Sequence, residues 1–277
     1  MRFHALQRAL VATTLVAIVQ TGCGDNKPAQ RELPATQNDA AAPGVDGATV
    51  IGLPRLIVPA YFYPDARWDH LIAAAPDVGM LIANPSDGPG STADPIYQDA
   101  IGRAQQAGVM VLGYIATSYG QRASADVRRD IDAYFDLYHP SGIFLSEGPM
   151  QADCTGMEQA FLEYAQAARA RDPRAFVAIG TRYCPSYIYF SDLIVLFARQ
   201  EAEYDSFQPS DWMPGRSPDR FAHLVAEVPA EQLEATLHRA HDLGAGWIYV
   251  TDDAFPNPWD QLASYFDREL QILATLR

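Results

Sequence analysis

Residues 109–147, VMVLGYIATSYGQRASADVRRDIDAYFDLYHPSGIFLSE, contain one complete strand–helix–strand unit. Val109–Ile115 is an aliphatic and aromatic run of strand length, Ser124–Tyr138 is an amphipathic stretch of helix length, and Gly142–Leu145 is a second short apolar run. A fully apolar run followed by a longer amphipathic segment and another apolar run reads as two parallel strands joined by a crossover helix. Ser124 is placed to cap that helix with its hydroxyl.

The same alternation continues in both directions. Strands are predicted at Leu56–Phe62, Gly79–Ala83, Val109–Ile115, Gly142–Leu145, Ala175–Ile179, Asp192–Phe197, Ala222–Glu227 and Gly246–Thr251, with helices among them at Asp94–Ala107, Ser124–Tyr138, Met157–Arg171 and Ala230–Leu243. Gly244 stands where the last of these should end. Eight parallel strands in about 220 residues close into a barrel more readily than they lie flat, so the expected fold is a single-domain (β/α)8 TIM barrel over residues 51–277. The competing arrangement is a doubly wound sheet. It is disfavoured because no predicted strand runs into a G-x-G-x-x-G turn.

The 277 residues are 48% hydrophobic and 19% charged, enough to bury one large core and too apolar for a disordered chain. A formal charge of −14, with Lys27 as the sole lysine, disfavours a phosphate backbone as partner, so no nucleic acid is expected. A monomer is expected.

Upstream of the barrel, Arg2, His4 and Arg8 precede an apolar run from Ala9 to Val19 and then Thr21-Gly22-Cys23, the order of a secretory signal peptide over residues 1–22. The run is too short for a permanent membrane span. Thr21-Gly22-Cys23 resembles a bacterial lipobox, which implies lipidation of Cys23 and a membrane anchor; Gln20 departs from the aliphatic residue usual there. Gly24 after the cysteine resembles the pattern that directs such proteins to the outer membrane. Residues 23–50, rich in Ala, Pro, Asp and Asn without apolar periodicity, are expected to be a flexible linker. Export also bears on Cys154 and Cys184, which fall in neighbouring loops on one barrel face and are expected to pair in an oxidising compartment. Two separate buried thiols remain the alternative.

In a barrel of this kind chemistry collects where strands end. Those positions carry Tyr61, Tyr63, Asn84, Tyr114, Tyr119, Arg122, Ser146, Glu147, Glu201, Glu203, Asp252 and Asp253. Tyrosines that present an apolar face and a polar tip, beside amides and carboxylates, suit a polysaccharide as partner. Any one of these tyrosines alone reads more readily as packing. The six histidines are scattered without ligand spacing, so no metal site and no cofactor are expected. There is also no G-x-S-x-G turn, and Ser146 has no histidine partner in the sequence for a serine-hydrolase triad.

Five ordered segments carry a more specific signal: Val58-Pro59-Ala60-Tyr61-Phe62-Tyr63-Pro64, residues 83–90 (ANPSDGPG), residues 113–122 (GYIATSYGQR), residues 142–147 (GIFLSE) and Tyr249-Val250-Thr251-Asp252-Asp253. Together they resemble spherulation-specific family 4, related to polysaccharide hydrolases that act on α-1,4-linked galactosamine polymers. The resemblance implies a glycosidase-type cleft with an Asp-Glu pair ending the fourth strand and a Glu after Phe ending the sixth. Here those positions read Ser146-Glu147 and Phe197-Ala198, so only Glu147 matches.

Glycoside hydrolysis requires two carboxyl groups about the scissile bond. Because side chains alternate along a strand, Glu147 is expected to point away from where an Asp at 146 would. The expectation is therefore a glycan-binding, catalytically degenerate barrel. The alternative is an active endo-glycosidase in which Glu147 works with a relocated acid, Glu201, Glu203 or Asp253. A surface scaffold that takes no glycan is the third reading.

Overall fold

The computed structural model describes residues 54–149, 154 and 156–276. The expected signal peptide, the expected linker and Cys23 lie outside the described residues.

The eight strands are β1 (Arg55–Ala60), β2 (Val78–Ala83), β3 (Met110–Ala116), β4 (Gly142–Ser146), β5 (Phe176–Gly180), β6 (Leu193–Gln200), β7 (Phe221–Ala226) and β8 (Trp247–Val250). They pair in parallel in chain order, and β8 closes onto β1. The α-helices are α1 (Ala66–Ala73), α2 (Pro95–Gln106), α3 (Ser124–Leu137), α4 (Glu158–Arg171), α5 (Glu201–Tyr204), α6 (Leu233–Asp242) and α7 (Phe266–Thr275). This is the (β/α)8 barrel the alternation predicts.

Each long helix lies where its sequence dictates. On α3 the buried residues Val127, Ile131, Tyr134 and Phe135 recur at helical spacing and form one stripe against the sheet. Burying each such side chain contributes about 1.5–3 kcal/mol. Asp94 caps α2 by accepting from the Ile96 N–H at 2.8 Å, with Pro95 in the first turn. Gly244, at φ +85°, follows α6 in the left-handed conformation that ends a helix. Ser124 departs from expectation. It is already inside α3, where Ala123 holds the cap position without a side-chain bond, and its hydroxyl meets the Tyr164 hydroxyl at 3.0 Å to tie α3 to α4.

The inward and outward faces of the strands follow from one glycine. A Cβ on Gly113 would meet the Tyr134 ring of α3 at 2.5 Å, so position 113 faces the helices and Tyr114 faces the lumen. Phe144, paired with Tyr114, shares that face, and Ser146 lies two residues beyond it.

Two regions are irregular. Among the described residues, the chain makes only a 3-10 turn, Pro185–Tyr189, between β5 and β6, and only the four-residue α5 and a 3-10 turn, Pro218–Arg220, between β6 and β7. At the closing seam, β1 and β8 pair only through Arg55 with Trp247 and Leu56 with Ile248. Further along, Glu269 of α7 enters and accepts from the Val250 N–H at 2.8 Å.

Candidate functional site

At the C-terminal mouth, Tyr61 directly follows β1 and Tyr114 lies near the end of β3. Their rings meet edge to face with centroids 5.1 Å apart. The Tyr61 backbone is held in place by a bond from its N–H to the Trp259 carbonyl at 3.1 Å. Tyr114 also shares a hydrogen bond with the side chain of Ser146.

Glu147 directly follows β4 in the left-handed region, at φ +54°. Its conformation is fixed from the β3 side: its carbonyl accepts from the Tyr119 N–H at 2.8 Å and from the Thr117 hydroxyl at 2.7 Å, and its Oε2 accepts from the Ser118 N–H at 3.1 Å. Strand alternation predicts that Glu147 points in a different direction from an Asp at 146. The strand has ended by that residue, at a positive φ, and the carboxylate charge acts on both Tyr61 and Tyr114.

Those effects can be ranked. Burial is the largest cause raising the Tyr61 phenol well above its ordinary value, with Tyr114, Asp87 and Glu147 adding to it. Tyr114 is pushed up to about 12, by burial first and by the Glu147 charge second. Both phenols are neutral at physiological pH.

Asp87, within the 83–90 segment, is not among the residues that the sequence singles out. Its charge also reaches both phenols, and it adopts φ +49°. Its place just after a strand end and the turn dipeptides Asp87-Gly88 and Pro89-Gly90 are the available signals.

The other predicted residues have different engagements. Tyr63 is exposed and donates to the Asp94 carboxylate at 3.1 Å, over Tyr97 of α2. Asn84 accepts from the Gly88 N–H at 2.7 Å and shapes its own loop. Arg122 donates to the Ala116 carbonyl at 3.0 Å and to Asp130 at 2.5 Å, clamping β3 to α3. Tyr119 is 51% exposed beside the Glu147 turn. Asp252 accepts from the Ser264 N–H at 3.0 Å and pairs with the Ser264 hydroxyl.

The candidate acids divide in the same way. Ala198 lies on β6 opposite Leu224 and contributes only a methyl. Glu203 on α5 takes Arg199 at 3.4 Å, and Glu201 opens the same short helix. Asp253 accepts from the Ala254 N–H at 2.9 Å, and its other oxygen, buried, meets no donor. The Asp260 carboxyl lies against Asp253 and is raised by burial first and then by that neighbour.

Cys154 and Cys184 form a disulfide with Cα atoms 5.7 Å apart, joining the loop after β4 to the loop after β5. Among the described residues no group of three metal-ligating side chains converges.

Known proteins share this architecture. A family model described as spherulation-specific family 4 matches residues 55–273. Spherulin-4 of Physarum polycephalum is 28% identical over 235 residues, covering 80% of this chain and 70% of that protein. Among solved structures, Aspergillus clavatus Sph3 in complex with GalNAc superposes with a TM-score of 0.70 at 22% identity, covering 80% of this chain and 98% of that one. The PgaB (BpsB) glycoside hydrolase domain of Bordetella bronchiseptica matches with a TM-score of 0.50 at 12% identity, covering 73% and 94% of the two chains. At these identities the two structures share the barrel fold.

Proposed function

This chain belongs to spherulation-specific family 4, and from that membership we propose that its barrel engages a polysaccharide, a galactosamine-containing glycan, without hydrolysing it efficiently. The observation that carries the reading is the composition of the mouth. Tyr61 and Tyr114 stand together beside Glu147, while Ser146 and Ala198 occupy the positions where the family resemblance places two further carboxyls.

Neutral phenols stack on sugar rings and bond to their hydroxyls, which is what binding needs. Turnover needs a second carboxyl to protonate the leaving oxygen or to attack, and loss of one general acid or base typically costs 10²–10⁴-fold. The Ser146 hydroxyl is bonded to Tyr114 and has no base to activate it. The GalNAc held in the Sph3 complex supports the class of sugar.

Calorimetry of the full chain with α-1,4-linked galactosamine oligomers tests this. Heat from wild type that disappears in Tyr61→Ala and Tyr114→Ala is the expected result. No heat from wild type would remove the reading.

A second reading, an active endo-glycosidase, is favoured by one observation: Asp87 acts on the same two phenols as Glu147. In that case reducing-end release is present in wild type and lost in both Glu147→Gln and Asp87→Asn. Glu203 bound to Arg199, and Asp253 against Asp260, are the weaker candidates for the relocated acid.

The same reading makes the chain an exported, monomeric lipoprotein of the outer membrane, held through Cys23 with residues 23–50 as tether. Among the described residues no helix is long and apolar enough to cross a membrane. Cys23→Ser should release the protein from the membrane fraction.

A further inference from the structure

A second pocket lies one strand further round the rim. Glu147 is followed by Gly148, whose N–H donates to the Gly180 carbonyl at the end of β5 at 2.9 Å, and the Thr181 hydroxyl donates to the Pro149 carbonyl at 3.1 Å. The loop after β4 is thus sewn to the loop after β5. Immediately beyond, where short helical turns follow β5 and β6, a cavity of about 380 Å³ opens between Arg182-Tyr183 and the segment 208–212.

Its walls are fixed. The Arg182 guanidinium lies 5.2 Å from the Tyr183 ring centre and 5.1 Å from that of Phe207, so its donors are held in one orientation. The Arg182 carbonyl accepts from the Ser210 hydroxyl at 3.3 Å, which latches the two loops together. Cys184, two residues on, is tied by the disulfide to the loop after β4. Trp212 is braced from below by Phe221 at 5.7 Å.

We infer that this cavity, lined by Arg182, Tyr183, Gln208, Ser210, Asp211 and Trp212, is a distal subsite for an uncharged pyranose ring of a glycan whose other end occupies the Tyr61–Tyr114 mouth. Two aromatic side chains supply a face for a sugar ring, and an amide, a guanidinium and a carboxylate supply both donors and acceptors for its hydroxyls. Arg182 and Asp211 line the same cavity with opposite charges, so neither a uronate nor a free ammonium gains a net electrostatic advantage there. Neutral hydroxyl and acetamido groups suit both. The inference rests on the glycan-binding reading and adds where a longer chain is held and which substituents it carries.

The test is a size series of N-acetylated α-1,4-galactosamine oligomers, dimer to octamer, titrated into the full chain. Two linked contacts bind more tightly than one, so wild-type affinity should rise about tenfold or more once the oligomer spans both sites. Gln208→Ala, whose side chain is exposed, and Trp212→Ala should each remove that gain while leaving dimer affinity unchanged. Deacetylated oligomers should show a smaller gain. A length-dependent gain that survives both variants, or variants that weaken the dimer equally, would overturn the subsite while leaving the mouth intact. Failure of wild type to bind any oligomer would overturn the glycan reading and the subsite with it.

Discussion

The ring of Tyr61 meets the ring of Tyr114 at 64°, centroids 5.1 Å apart, and the carboxylate of Glu147 acts on both phenols. Residues from β1, β3 and the end of β4 thereby form one surface. The edge-to-face contact fixes the rings by quadrupole attraction, worth about 0.5–1.5 kcal/mol beyond the area buried.

Because the charge of Glu147 is the second cause raising Tyr114, after burial, Glu147→Gln should lower the Tyr114 phenol from about 12 without returning it to its ordinary value. Ultraviolet titration of tyrosinate formation in the variant, against wild type, measures the change. An unmoved titration would place Glu147 away from the pair.

Glu269 is 0% exposed, with one oxygen on the Val250 N–H and the other without a donor. Burial raises its carboxyl well above the ordinary value. The sign follows: the unfolded chain releases this proton at about 4.3, earlier than the folded chain does, so the group's contribution is complete below that pH and is lost as pH rises from there through the folded value. Glu269→Gln keeps the acceptor for Val250 and carries no proton to lose. Its thermal midpoint should therefore decline less steeply with rising pH than that of wild type, and parallel slopes would contradict the assignment.

Reducing the Cys154–Cys184 bond, or replacing both cysteines with serine, frees a segment of 30-residue separation. The expected loss is about 3 kcal/mol by denaturant unfolding, from the restored freedom of the unfolded chain. No loss would mean that the two loops are held together by their other contacts alone.

The barrel was legible in the sequence because each strand reads as a continuous apolar run; Gly142–Leu145 lies within the observed Gly142–Ser146, Ala83 ends β2 as expected, and the remaining ends shift by one to three residues. The mouth was legible only in part. Tyr61 and Tyr114 do meet, but Glu147 adopts a positive φ that its residue type does not signal, whereas the turn at Asp87 is signalled by Asp87-Gly88. Ser124 has the chemistry of a cap and is used as a crosslink to Tyr164. Glu269 reads as an ordinary helix-surface acid, because nothing local reveals that β1 and β8 stay paired for only two residues and leave a seam for it to enter. Tertiary contacts between distant segments decide each of these cases.

The central claim is that the cleft binds glycan and lacks the carboxyls for efficient turnover. Reducing-end release from α-1,4-linked galactosamine polymer, compared between wild type and the double variant S146D/A198E, tests it most directly. The account predicts no release above background from wild type and a gain of about 10² or more in the double variant. Robust release by wild type, abolished in Glu147→Gln, would contradict it.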